Sequence, residues 1–119
     1  MRLKPFVLGF LVILILFTVP VHAHAHAVSL TWTASTDGDV SYNIYRFSGT
    51  CPNTGTSGFF KITASPVTAN AYTDSTVAPG AYCYYATAVL NGSESLPSNL
   101  ASAVILPAAP AALSIAGTN

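Results

Sequence analysis

Three residue sets in this chain could do chemistry. His22, His24 and His26 alternate with alanine in "VHAHAHAVSLTW", just ahead of a strand-like run, and alternating imidazoles are a familiar way to offer ligands to a metal. Cys51 and Cys83 could form a disulfide or a reactive thiol pair. Asp37 and Asp39 in "TDGD" make a D-x-D that could lend oxygens to calcium.

The surroundings of each set decide how it reads. Arg2, Lys4 and Pro5 precede an unbroken apolar run over residues 6–19, which has the order of a charged and then a hydrophobic region of an export signal. The run is shorter than the roughly 20 residues a spanning helix needs and meets Pro20, so a cleaved signal over residues 1–23 is expected, with a membrane role only if cleavage fails. Small residues allow cleavage after Ala23, Ala25 or Ala27, and the pattern over residues 21–23 is the best placed. His22 is then lost, and the mature chain begins at His24 or later. The expected location is secreted, periplasmic or cell envelope.

Export places both cysteines in an oxidising compartment, where a Cys51–Cys83 disulfide is the default. The loop it closes is about 30 residues, for which chain entropy gives at most roughly 3.5–4 kcal/mol, native strain subtracting from it. A reactive pair would want a C-x-x-C spacing or a nearby base, and neither is present. Turn chemistry accounts for Asp37 and Asp39 better than calcium, which takes six to eight oxygens, or than an acid–base pair, which needs a pocket to separate two pKa values. With no histidine after His26, no base stands near a nucleophile, and a hydrolytic triad has no material.

Composition narrows the class further. The chain has 119 residues, 51% hydrophobic and 7% charged, enough for one domain. Beyond the leader, Arg46 and Lys61 face Asp37, Asp39, Asp74 and Glu94, a mildly acidic balance that excludes the basic patch nucleic-acid binding requires. From Val28 the apolar pattern has period two, and turn residues punctuate it. Strands are expected over residues 28–32, 40–46, 59–63, 71–74, 81–90 and 98–106, with Cys51 in a Gly- and Pro-rich loop. Asn91-Gly92 is a hairpin signal; Asn91-Gly92-Ser93 also fits a glycosylation acceptor, but the hairpin tip is the simpler reading. Such strands with no helix between them indicate an all-β antiparallel sandwich. Residues 107–119, rich in Pro and Ala and uncharged, read as linker or disordered tail.

Over residues 28–105, the segments "LTWTAS", "YNIYR", "FFKI", "YTDSTVAPGAYCYYATAV" and "NGSESLPSNLASAVI" resemble, in order, those of bacterial fibronectin type III domains. The resemblance implies an immunoglobulin-like sandwich over residues 24–106. It implies that Trp32, Tyr42, Ile44, Tyr82, Tyr84, Ala86 and Ala88 point inward and Cys83 outward, with Cys51 within reach of it. Tyr45 and Tyr85 then share the outer face of neighbouring strands beside Thr87, as a cross-strand pair or as a face for a sugar or protein. The loops at residues 33–40 and 91–97 are further candidate binding elements. The family's first strand has no counterpart, which leaves the Trp32 strand as an edge to be covered by residues 112–117, by a partner strand, or by nothing.

The "HAH" start also resembles the N-terminus of periplasmic copper-resistance β-sandwich proteins, and an N-terminal His that of lytic polysaccharide monooxygenases. Both need a further histidine from the folded body, which this chain lacks. The expectation is a non-catalytic exported module, without cofactor, that binds an unknown protein or carbohydrate or mediates adhesion at the cell surface. The alternatives are a copper-binding periplasmic protein using His24 and His26, and a structural subunit that self-associates through its strand edge.

Overall fold

The computed structural model describes Arg2 and residues 25–119; His24 and, Arg2 apart, the expected leader lie outside the described residues. Those described residues form seven antiparallel strands and no helix: β1 His26–Thr31, β2 Ser41–Ser48, β3 Phe60–Lys61, β4 Ala71–Val77, β5 Gly80–Leu90, β6 Ser93–Glu94 and β7 Ala101–Ile105. They make two sheets. One pairs β1 with β4; the other runs β3-β2-β5, and β6 and β7 share the far edge of β5. The architecture is sandwich-like and all-β. No helix among the described residues is long and apolar enough to cross a membrane, and the apolar run over residues 6–19 lies outside them.

Alternation supplies the inner layer. On β2, Tyr42 and Ile44 are buried, and on β5 Tyr84 lies opposite Arg46, in the same inward row. Trp32, just past β1, meets Tyr42 edge-on with centroids 5.2 Å apart, the geometry aromatic rings favour. A polar cluster sits between the sheets. Asp74 of β4 is 1% exposed, accepts from Arg46 at 2.8 Å and from the Tyr84 hydroxyl at 2.9 Å, and is also bonded by the hydroxyl and backbone N–H of Thr76. Burial by itself would raise the Asp74 pKa, but the hydrogen bonds from Arg46, Thr76 and Tyr84 outweigh it and hold the carboxyl below its ordinary value.

Tyr82 points inward only in part. Its hydroxyl reaches back four residues, accepting from the Ala78 N–H and donating to the Ala78 carbonyl, and so fixes the corner between β4 and β5. At the other end of β5, Asn91 and Gly92 both take positive φ, the two-residue turn their sequence signals.

The expected strand over residues 98–106 is shortened to Ala101–Ile105, and a two-residue strand not expected, β6, precedes it. β6 ends after Glu94, and Leu96-Pro97 loops out because Pro97 has no N–H for the ladder. Ser95 and Ser98 bridge the gap: their hydroxyls accept from the Ala88 and Ala86 N–H groups, and their own N–H groups bond the carbonyls of those same residues. The expected strand over residues 59–63 shrinks to Phe60–Lys61, with Ile62 bonded through its N–H to Ile44 and Thr63 buried. The tail beyond β7 forms no strand and covers no edge, so pairing of residues 112–117 with β1 of the same chain is not what the fold adopts.

Candidate functional site

The outer face of the larger sheet is built by the same alternation that fills the core. Asn43, Tyr45 and Phe47 of β2 stand opposite Thr87, Tyr85 and Cys83 of β5, all on the side away from β1 and β4. Tyr45 and Tyr85 stack with centroids 4.7 Å apart and rings 10° from parallel. The expected aromatic pair is therefore brought together.

Its surroundings differ from an open platform. The disulfide Cys51–Cys83, with Cα atoms 5.0 Å apart, draws residues 49–59 back across the sheet. Cys83 faces outward as expected but is fully buried under this loop. Phe59 packs on Tyr85 at 4.9 Å and on Phe47 at 5.5 Å, forming a small second core outside the sandwich. Two glycines let the loop approach. A Cβ at Gly49 would lie 2.8 Å from the Phe47 ring and one at Gly58 3.2 Å, and both backbones take positive φ. The loop thus shields the Cys83 end of the face and leaves the Tyr45 end open.

Glu94 borders that open end. The turn at Asn91-Gly92 sets Glu94 opposite Val89, on the same side as Tyr85 and Thr87. The Tyr45 hydroxyl donates to its carboxylate, 2.7 and 2.9 Å from the two oxygens, Thr87 donates at 3.3 Å, and the Asn43 amide donates a further bond. Asn43 is itself buried and accepts from the Thr63 hydroxyl, so the carboxylate is anchored through the sheet to a fixed base. Lys61 of β3 lies directly across from Tyr45.

The charges follow from these contacts. The Tyr45 hydroxyl, then the Asn43 and Thr87 donors, and the Lys61 charge hold Glu94 below its usual range despite some desolvation. Burial first, and the Glu94 carboxylate second, push the Tyr45 phenol up to about 12. Burial also raises Tyr85. At neutral pH the face presents an ionised carboxylate and two neutral phenols. That combination can accept from hydroxyl or amide donors and offer ring edges to apolar carbon.

The other residues singled out in the sequence lie elsewhere. His26 begins β1 opposite Val77, on the smaller sheet, and His24 lies outside the described residues. Asp37 and Asp39 occupy an exposed turn in which the Asp37 N–H bonds the Ser35 hydroxyl and Asp39 takes positive φ. Among the described residues no group of three His, Cys, Asp or Glu side chains is placed to hold a metal ion. Sequence reasoning missed Glu94, Asn43 and Lys61 as members of the face. For Glu94 the signal was present, because a two-residue turn at 91–92 sets residue 94 across from residue 89 and therefore on the Tyr85 side.

No known protein-family model matches this chain, and no curated protein matches it in sequence.

Proposed function

We propose that this chain is an exported, non-catalytic module of fibronectin type III type, stapled by Cys51–Cys83, which binds a protein or carbohydrate at the cell surface through the Tyr45–Tyr85–Glu94 face. The observation that carries the reading is the stacked tyrosine pair capped by an anchored, ionised carboxylate. Tyrosine offers contact area at little cost in side-chain entropy, and Glu94 is exposed yet held in place, so little order remains to be imposed on binding.

Support for the family reading comes from the inter-sheet Trp32–Tyr42 contact and from the Tyr82 hydroxyl bonded back to Ala78, a corner that recurs in immunoglobulin-like sandwiches. A disulfide whose cysteine is wholly buried supports maturation outside the cytoplasm.

The test is a glycan array, together with pull-down on cell-envelope polysaccharide and on extracellular matrix protein, using the secreted chain. Binding to one class is expected, with a loss of about tenfold or more in Glu94→Gln and in Tyr45→Ala, since a hydrogen bond to a charged group contributes about 1.5–3 kcal/mol. Binding that is indifferent to both substitutions would move the site off this face.

A further inference from the structure

The smaller sheet has only two strands, and among the described residues the second edge of β1 pairs with nothing. Even its inward side chains, Val28 and Leu30, stay half-buried, as does Trp32 beyond them, because the sandwich is open on this side. The Trp32 N–H bonds the Asn70 carbonyl, so alternation turns the backbone groups of Ser29 and Thr31 toward the free edge. The edge carries no lysine, no proline and no charge over its length, the usual guards against strand addition.

A cleft lies along it. Trp32 separates two hollows of about 100 and 220 Å³ between the end of β1 and the Ser95–Ser98 stretch. The indole nitrogen of Trp32, the residue between the hollows, is buried without an acceptor among the described residues. A buried donor left unpaired is costly, and an added backbone carbonyl would satisfy it.

The chain carries a segment that fits. In residues 112–117, "ALSIAG", Leu113 and Ile115 alternate with small residues and are 96% and 77% exposed, a segment that forms no strand in the single chain but has a strand's alternating pattern and is as uncharged as the edge. Its own copy is poorly placed to use it. Ile105 pairs with Gly80 and His26 with Val77, so the tail leaves β7 at the His26 end of β1 and could run beside β1 only in parallel. Pro107 and Pro110 make a stiff spacer that carries the segment outward. A second copy can approach antiparallel, the more stable pairing.

We infer that the free edge of β1, with the cleft at Trp32, receives residues 112–117 of a second copy of this chain as an added antiparallel strand. The incoming backbone bonds Ser29 and Thr31, Leu113 or Ile115 enters the hollow beside Trp32, and a carbonyl accepts the indole N–H. Each copy offers one β1 edge and one tail, so the contact is heterologous and can propagate. The surface lies on the opposite sheet from the Tyr45 face and does not depend on it.

Light scattering of the secreted, processed chain over a range of concentrations is the test. The mass is expected to rise with concentration, with a change in the emission of Trp32, the only tryptophan in the chain. Leu113→Asn with Ile115→Asn should be monomeric, and Thr31→Pro, which removes one edge N–H, should also be monomeric. Mixed, the two variants should form a two-chain species, because one retains the edge and the other the tail. Should Thr31→Pro fail to fold, Thr31→Lys blocks the edge by charge instead. A wild-type chain that stays monomeric up to about 1 mM, where even a 4 kcal/mol association would register, overturns the inference. Association that survives in the tail variant overturns it equally.

Discussion

Two carboxylates in this molecule are each held by a tyrosine hydroxyl, and they do opposite things. Asp74 sits between the sheets, almost wholly buried, bonded by Arg46, Tyr84 and Thr76. Glu94 sits on the outer face, exposed, bonded by Tyr45, Thr87 and Asn43. The donors are of the same kinds and both carboxyls are held below their ordinary values. The difference is solvent. Both oxygens of the Asp74 carboxylate are committed, to Arg46, Tyr84 and Thr76, and the residue is buried, so it holds the sheets in register. Glu94 stays exposed on its outer side, where the proposed ligand would meet it.

Removing each partner sharpens the contrast. Asp74→Ala should cost about 3 kcal/mol in denaturant unfolding, the low end for a broken buried pair, because the Arg46 side chain keeps 22% of its surface exposed and can hydrate in part. Cys51→Ala should fall in the same range, at about 2–4 kcal/mol by the same measurement, since it frees the loop and uncovers Cys83. Loss of the staple should also unpack Phe59 from Tyr85, which near-ultraviolet circular dichroism would register.

Acid should distinguish the two sites. The Asp74 pKa is lowered by folding, so its contribution is present above the ordinary aspartate range and is lost as pH falls through the depressed folded value. Unfolding monitored below about pH 4 should therefore steepen in the wild type and flatten in Asp74→Asn. In Glu94→Gln the acid limb should stay nearly as in the wild type. At high pH the sign reverses. Tyr45 is raised to about 12 and Tyr84 is raised as well, so their contributions are whole below the ordinary phenol range and are lost as pH climbs through the folded values.

The smallest effect belongs to Glu94→Gln, within about 1 kcal/mol of wild-type stability because the carboxylate is exposed. Its signature is spectroscopic. Phenol titration by ultraviolet difference should show the Tyr45 pKa falling only part of the way from about 12, because burial is the larger cause and remains. A full return to the ordinary value would mean that Glu94 alone sets it.

Much of this fold was legible in the residues. The period-two runs placed the main strands, Asn91-Gly92 marked its turn, and alternation, with the strand neighbours the family resemblance implies, put Tyr45 beside Tyr85. Three features were not. Asp74 reads as a polar residue in a short strand, and only the approach of β2 and β5 shows that it is buried against Arg46 and Tyr84. Ser95 and Ser98 look like loop residues, yet their hydroxyls stand in for ladder carbonyls. The loop over residues 49–59 reads as irregular, and nothing local says that it folds over the Cys83 end of the face.

What the sequence determined by itself was therefore local or binary: strand periodicity, turn positions, a leader-like segment, two cysteines available to pair and a low content of charge. These depend on neighbours in the chain, where the physics is short-ranged. Tertiary structure decided which polar groups lost their water. Burial is set by what packs from a distance, so only the assembled sheets could make Asp74 a structural anchor, leave Glu94 open, and strand the Trp32 indole beside an unpaired edge.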